Sequence, residues 1–371
     1  MSKSTNKKKS NPKSNKSINK SSKKDSIKWH ELNKAEQMSV VCRHFIKGKT
    51  LAEIAKAIST DYQIDFKRQS PYKILSNAAK DKWLKYVPPT TYLLNSELKK
   101  EYNWLKSHVV QTSQFEDVAH HGAEQLMEML KDFKAKGEDE IHLGFSGGHA
   151  MRYVALAFEK MVTQPGPSIP KHIVLHAIVA GFDVYDPTTD PNTFFTLFQT
   201  PNPAGIVFSY VGLHAPPVIS CDQYENIQKL DGIKESYKER DKIDIIVTSS
   251  TNLSDQHSLF LKYMSKSKEC LDYLNSMNCI GDMLWQPLGP QDPIQHKTNI
   301  RAMSIWELNE LPGFIKKRKS VLLVIGPCSV CNEPKSDILR AILNQKKKII
   351  THLVADSLSV RGMLSSEEDG N

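Results

Sequence analysis

Gly144-Phe145-Ser146-Gly147-Gly148 has the G-x-S-x-G spacing of a nucleophile elbow, in which a strained strand-to-helix turn exposes a serine for acyl transfer. The same residues suit a second chemistry. A glycine-rich turn between a strand and a helix bares backbone N–H groups and the positive end of the helix dipole to an anion. Asp183, Asp186, His214 and His257 are of the right types to complete a hydrolase triad. Position argues against that. In α/β-hydrolases several strands and an oxyanion loop precede the elbow, whereas here a single helix–strand–helix unit precedes Ser146. The spacing is not G-x-G-x-x-G and no P-loop lysine follows, which weakens dinucleotide and nucleoside triphosphate binding. An anion-binding turn is the better expectation, against a plain strand-to-helix turn with no ligand.

Cys328-Ser-Val-Cys331 is a CxxC, but zinc needs four ligands, and no second CxxC or neighbouring histidine pair is visible. The expectation is thiols in an ordinary loop, then a redox pair, with no metal and no cofactor. His120-His121 falls in an amphipathic stretch and is expected to be packed or solvated. Six scattered cysteines show no disulfide framework, as in a reducing compartment.

The elements that would carry these residues alternate. FEDVAHHGAEQLMEMLKDF reads as a helix, DEIHLGF as a strand running into the glycine turn, and HAMRYVALAFEKMV as the next helix. HIVLHAIV, GIVFSYV, DIIVTSS, SVLLVIG and IITHLVAD read as strands, with HSLFLKYM, SKECLDYLN and KSDILRAIL as helices between some of them. Strands separated by helices imply a mostly parallel, doubly wound α/β domain.

Charge is distributed unevenly. The first 28 residues hold ten lysines and one aspartate, and residues 29–88 hold eleven basic against six acidic residues, so the rest of the chain is slightly acidic. Residues 1–28 lack aromatic side chains, and a disordered tail is expected over 1–30. It has no apolar signal core, and no run approaches the ~18 apolar residues of a membrane span, so a cytoplasmic protein without membrane contact is expected. Residues 31–88 then read as three helices. Met38, Val41, Cys42 and Phe45 form one apolar stripe. Thr50 and Glu53 form a capping box for the second helix, whose inner face is Leu51, Ile54, Ala55 and Ile58. Ser70-Pro71 would open a third, burying Ile74, Leu75 and Ala78, and WLKYVPP would be a short wing strand. This is a winged helix-turn-helix pattern, with Lys67, Arg68, Gln69, Tyr72, Lys73, Ser76, Asn77 and Lys80 offered to double-stranded DNA. The alternative is a small helical bundle with a solvated charged face. A helix over 89–105 would link it to an α/β domain over 106–365, followed by an acidic tail over 366–371.

Several segments in order resemble the SorC/DeoR group of bacterial transcription regulators. Asn278-Cys-Ile-Gly281-Asp282, the run from His296 to Arg301 followed by AMSI, Lys335-SDILRAIL, the strand ITHLVAD ending at Asp356, and GLHAPPVI in mid-domain carry the resemblance over residues 90–363. It implies a C-terminal domain related to sugar-phosphate isomerases that binds a phosphorylated sugar or a similar small anion. Ser146, Gly147, Gly148 and His149 would hold the phosphate, with Asp282 and Lys335 also at the ligand and Arg301 a further ligand-side or structural residue. It also implies a non-enzymatic, homo-oligomeric regulator, a dimer or tetramer. This chain departs from the pattern at His149 and Ala150, where the family has hydroxyl residues, in the longer GPCSVCNEPK loop, and at Tyr72-Lys73, where the family tends to have Ser-Arg. The rival readings are a sugar-phosphate isomerase or deaminase using Asp282 or Asp356 as a base, and a DNA-binding assembly protein with a degenerate pocket. Each phosphate neutralised contributes about −0.9 to the slope of log K against log salt. Deleting residues 1–28 is therefore expected to flatten that slope in gel-shift titrations, and an unchanged slope would remove the tail from the interface.

Overall fold

The computed structural model describes residues 28–81, 83–84, 86–166, 168–181, 183, 185–199, 202–295 and 297–365. All but the last three residues of the expected basic tail, and the whole acidic tail, lie outside them. The chain divides into two compact units, Met1–Tyr86 and Val87–Asn371.

The first unit contains α1 (Lys34–Ile46), α2 (Leu51–Tyr62) and α3 (Gln69–Lys80). Side-chain caps fix where the first two begin. Asn33 accepts from the Glu36 amide at 2.9 Å, while Glu36 accepts from the Asn33 amide at 2.8 Å. Thr50 and Glu53 make the same exchange at 3.3 and 2.8 Å. Met38, Val41, Cys42, Ile54, Ile58, Leu75 and Ala78 close the core between the three helices. α3 begins at Gln69, one residue before the expected Ser70 cap, because the Ser70 amide already turns back to the Lys67 carbonyl at 2.9 Å. Pro71 sits harmlessly in that first turn, where an amide would lack an intrahelical partner anyway. The expected strand WLKYVPP is not formed by its described residues. The amides of Trp83 and Leu84 instead fold back onto the Ala78 carbonyl at 2.7 and 3.3 Å; Lys85 lies outside the described residues.

The second unit opens with α4 (Tyr92–Glu101), β1 (Lys106–Val110), α5 (Phe115–Ala135), β2 (Glu140–Phe145), α6 (His149–Val162) and β3 (His172–Ala177). It continues through α7 (Pro191–Phe194), β4 (Val207–Val211), β5 (Val218–Ser220), α8 (Tyr224–Gln228), α9 (Ile233–Glu239), β6 (Ile245–Thr248) and β7 (Ser250–Asn252). Then come α10 (Leu259–Met264), α11 (Lys268–Ser276), β8 (Gly281–Met283), β9 (Gln286–Leu288), β10 (Ile300–Ala302) and α12 (Leu311–Lys316). The last are β11 (Ser320–Ile325), α13 (Ser336–Leu343), β12 (His352–Asp356) and α14 (Ser357–Ser365). α4, in the stretch read from sequence as a linker, buries Leu94 and Leu98 in this unit's core.

Seven strands form one parallel sheet in the order β1-β12-β11-β6-β2-β3-β4. Continuous apolar runs such as Val321-Leu-Leu-Val-Ile325 suit strands covered on both faces, and all five of these residues are buried. Gly122 lets α5 press onto β11, since a Cβ there would lie 2.8 Å from the Val324 methyls. From β2 the chain lays down β3 and β4 on one side, then crosses to β6 on the other. The order of strands therefore reverses between β2 and β6, which is where open α/β sheets bind ligands. Two small antiparallel sheets, β5–β10 and β7–β8–β9, were not foreseen, because three-residue strands are too short to show a period.

Between β2 and β3, His142 Nδ1 and His176 Nε2 stand 2.8 Å apart with His176 fully buried. Burial, then the neighbouring His142, lowers His176 from 6.5 to about 3. The unfolded chain thus takes up this proton first on acidification, and stability present above 6.5 is lost progressively as the pH falls towards about 3. Asp282 and Asp356, raised by burial, act in the opposite sense. Comparing parent and His176→Asn in thermal melts over this window isolates the histidine. The variant is expected to lose less of its midpoint on acidification, and parallel profiles would refute the assignment.

Candidate functional site

Segments after β2, β6 and β11, with the turn between β8 and β9, converge on a cavity of about 330 Å³ at the carboxyl ends of the strands. The glycine turn forms one wall. The Ser146 amide donates to Val247 O at 3.1 Å, extending the β2–β6 ladder, and the Gly148 amide donates to Thr189 O at 2.8 Å. A Cβ on Gly147 would lie 2.8 Å from that same carbonyl, and Gly148 has φ +106. The close approach of the Thr189 segment therefore requires glycine at 147, and the positive φ favours it at 148. Gly148 is the N-cap of α6 and supplies no side chain, so the first amides of the helix, at residues lining the cavity, are left for a ligand or water.

Lys335 forms the opposite side. It is buried, its Nζ donates to Ser250 O at 3.0 Å and its amide to Ser359 Oγ at 2.9 Å. Burial lowers its pKa, while Asp255, Cys328, Asp282 and Asp356 raise it. Asp282, in β8, is buried and pushed up to about 7 by loss of solvent, against the Lys335 charge and the Trp285 amide. Its Oδ1 has no hydrogen-bond partner among the described residues. Nearer the mouth, Lys262 pairs with Asp183 at 2.7 Å and His149 Nε2 lies 3.6 Å from Asp186 Oδ2.

The β8–β9 turn is strained. Leu284 and Trp285 have φ of 54 and 57, the left-handed pair of a tight hairpin that ordinarily takes Asn-Gly. Their burial holds them there, and both line the cavity. Such backbone costs on the order of 1–3 kcal/mol per residue and clusters at ligand sites.

Of the ligand residues expected from sequence, Ser146, Gly147, Gly148, His149, Asp282 and Lys335 come together around this cavity. Arg301 does not. Its guanidinium bonds Glu307 and stacks 3.6 Å above the Tyr224 ring, away from the lining. Asp356 lies outside the lining, and its Oδ1 accepts from the Leu358 and Ser359 amides at 2.9 and 2.8 Å at the start of α14. No histidine hydrogen-bonds Ser146 among the described residues, which leaves a nucleophile elbow without its base. Sequence reasoning missed Asp255, Lys262, Leu284, Trp285 and Cys328 as lining residues and gave His257 only a triad role. None belongs to a motif around Ser146, and Cys328 meets His257 Nδ1 at 3.5 Å across 71 positions of chain. In the first unit, Lys67, Arg68, Gln69, Tyr72, Lys73, Asn77 and Lys80 are exposed and Ser76 is half-buried.

No protein-family model and no curated protein sequence matches the chain. Solved structures do. The full-length sorbitol operon regulator SorC from Klebsiella pneumoniae matches with a TM-score of 0.64 at 16% identity, covering 90% of this chain and 99% of that one. A probable sor operon regulator from Shigella flexneri matches at 0.56 and 18% identity over 73% of this chain and 98% of that chain. A DeoR family transcriptional regulator from Listeria monocytogenes matches at 0.53 and 16% over 73% and 98%. The strong structural neighbours are thus SorC- and DeoR-family regulators and sugar-binding domains, and at these identities the likeness is one of fold.

Gly281, next to Asp282, tests how tightly the floor is built. An added Cβ would sit 2.0 Å from Thr251 O, so β7 and β8 would have to part. Gly281→Ala is expected to cost about 3 kcal/mol in urea unfolding, the upper end for overpacking. A cost within about 0.5 kcal/mol, as for a surface change, would refute it.

Proposed function

We propose that the chain is a DNA-binding transcription regulator. Its α/β unit senses a phosphorylated sugar or related small anion and mediates oligomerisation. The observation that carries this is the cavity at the sheet's reversal point, with a glycine turn and helix N-terminus on one side and buried Lys335 on the other. A phosphate wants backbone donors and a fixed cation. Asp282, in the lining with an unpartnered oxygen among the described residues, offers an acceptor for a sugar hydroxyl, which suits a ligand carrying both. The neighbour that is a sorbitol operon regulator supports a sugar or polyol. No helix among the described residues is long and apolar enough to cross a membrane. In the first unit, α3 carries the exposed basic face for the major groove, and paired half-sites call for a dimer or tetramer. The ligand would act by binding one oligomer arrangement better than another.

A second reading rests on Asp282. A buried carboxyl raised to about 7 is poised as a general base, as an isomerase or deaminase of this fold would need. Thermal shift with a panel of sugar phosphates, followed by turnover assays on those that bind, separates the readings. A shift without turnover supports the regulator, turnover supports the enzyme, and no shift with any compound favours a DNA-binding assembly protein.

Two further outcomes are expected. Ionised Asp282 repels an anion, so affinity for a sugar phosphate should fall as the pH rises through about 7, and Asp282→Asn should lose that component in calorimetric titrations. Lys73→Ala should weaken binding to the protein's own promoter region in gel shifts by up to about tenfold, without changing sequence preference. Unchanged affinity would remove α3 from the interface.

A further inference from the structure

We propose that Asp255, His257, Cys328 and Cys331 bind a single zinc ion at the rim of the cavity. One ligand atom from each lies within 4.8 Å of all the others. Two of these separations already match a coordination shell. Cys328 Sγ stands 3.5 Å from His257 Nδ1, and Asp255 Oδ1 stands 3.3 Å from the same nitrogen. A tetrahedral zinc with ordinary Zn–S, Zn–N and Zn–O bonds has S–N and O–N edges of about 3.6 and 3.4 Å.

The surroundings hold the donors in place. Asp255 Oδ1 accepts from the His257 amide at 2.8 Å, a local turn that sets these two ligands against each other. Cys328 O accepts from the Asn332 amide at 2.8 Å, and Asn332, at φ 60, closes the turn in the left-handed conformation that asparagine tolerates. Asp255 and Cys328 are buried while His257 and Cys331 are exposed, which leaves an entry path for the ion.

Charge points the same way. Two thiolates and a carboxylate around a divalent ion leave a net charge of about −1, and metal binding releases the thiol protons. Buried Lys335, which already feels Asp255 and Cys328, supplies the opposing charge. Thiolate and imidazole ligands select zinc over magnesium or calcium. The ion would tie the β11–α13 loop, which carries Lys335, to the segment before α10, so occupancy would stiffen one wall of the cavity.

Full-length protein kept reduced and titrated with Co²⁺ provides the test. The expected result is a single equivalent bound with a tetrahedral, thiolate-ligated spectrum, displaced by Zn²⁺. Cys331→Ser and His257→Ala should each weaken Zn²⁺ binding by more than about 100-fold, beyond the 10–100-fold lost with a supporting group. Both residues are exposed, and melts in chelator check that the variants fold. Absence of a tetrahedral spectrum, or affinity unchanged in both variants, overturns the proposal. So does a reduced protein that binds no metal but forms a Cys328–Cys331 disulfide in air, which assigns the pair to redox chemistry.

Discussion

The parallel pairing of β2 with β6 is the constraint on which the rest of the second unit depends. Leu143, Gly144 and Phe145 run beside Ile245, Ile246 and Val247, and the Ser146 amide carries the ladder one step further onto Val247 O. Beyond that point the two strands lead to elements on opposite sides, and a crevice opens between them. The height at which it opens is set by the register. A slip would displace Ser146 relative to Ser250 and Lys335, and the wall of backbone donors would no longer face the buried cation.

The floor of that crevice is costly to maintain. Lys335 and Asp282 are both buried, Asp282 with an oxygen lacking a partner among the described residues, and the adjacent turn holds two large side chains in left-handed backbone. None of this serves packing alone, since an apolar lysine replacement or an Asn-Gly turn would relieve it. Buried polar groups without full satisfaction and strained turns persist where the surrounding structure over-determines them, as at ligand sites. At the mouth the balance differs. Lys262 pairs with Asp183, so its charge is partly neutralised, and His149 faces Asp186.

Two of the three departures from the SorC/DeoR pattern also take on physical meaning. Where that family has hydroxyls after the glycines, this chain places the His149 imidazole against the Asp186 carboxylate. The lengthened loop before Lys335 brings Cys328 and Cys331 to Asp255 and His257. Both changes alter the rim and leave the glycine turn and Lys335 in place.

Much of the architecture is legible in the sequence. Long apolar runs and helical stripes of ten or more residues mark the main strands and helices, because burial on one or two faces imposes a period that local composition records. The capping boxes at Thr50 and the glycine turn before His149 are readable for the same reason, being set by neighbours a few residues away. The three-residue strands, the left-handed Leu284-Trp285 turn and the absence of a described strand in WLKYVPP are not, since each depends on partners remote in the chain. The site divides likewise. Glycine spacing and a motif resemblance single out Ser146, Gly147, Gly148 and Lys335, which the fold brings to one cavity, whereas Arg301, singled out by the same resemblance, sets its guanidinium on Glu307 and Tyr224 outside the lining. Cys328 and Cys331 look like an isolated pair for want of nearby ligands, and only the fold, by setting the ends of β6 and β11 side by side, supplies Asp255 and His257 across some seventy residues.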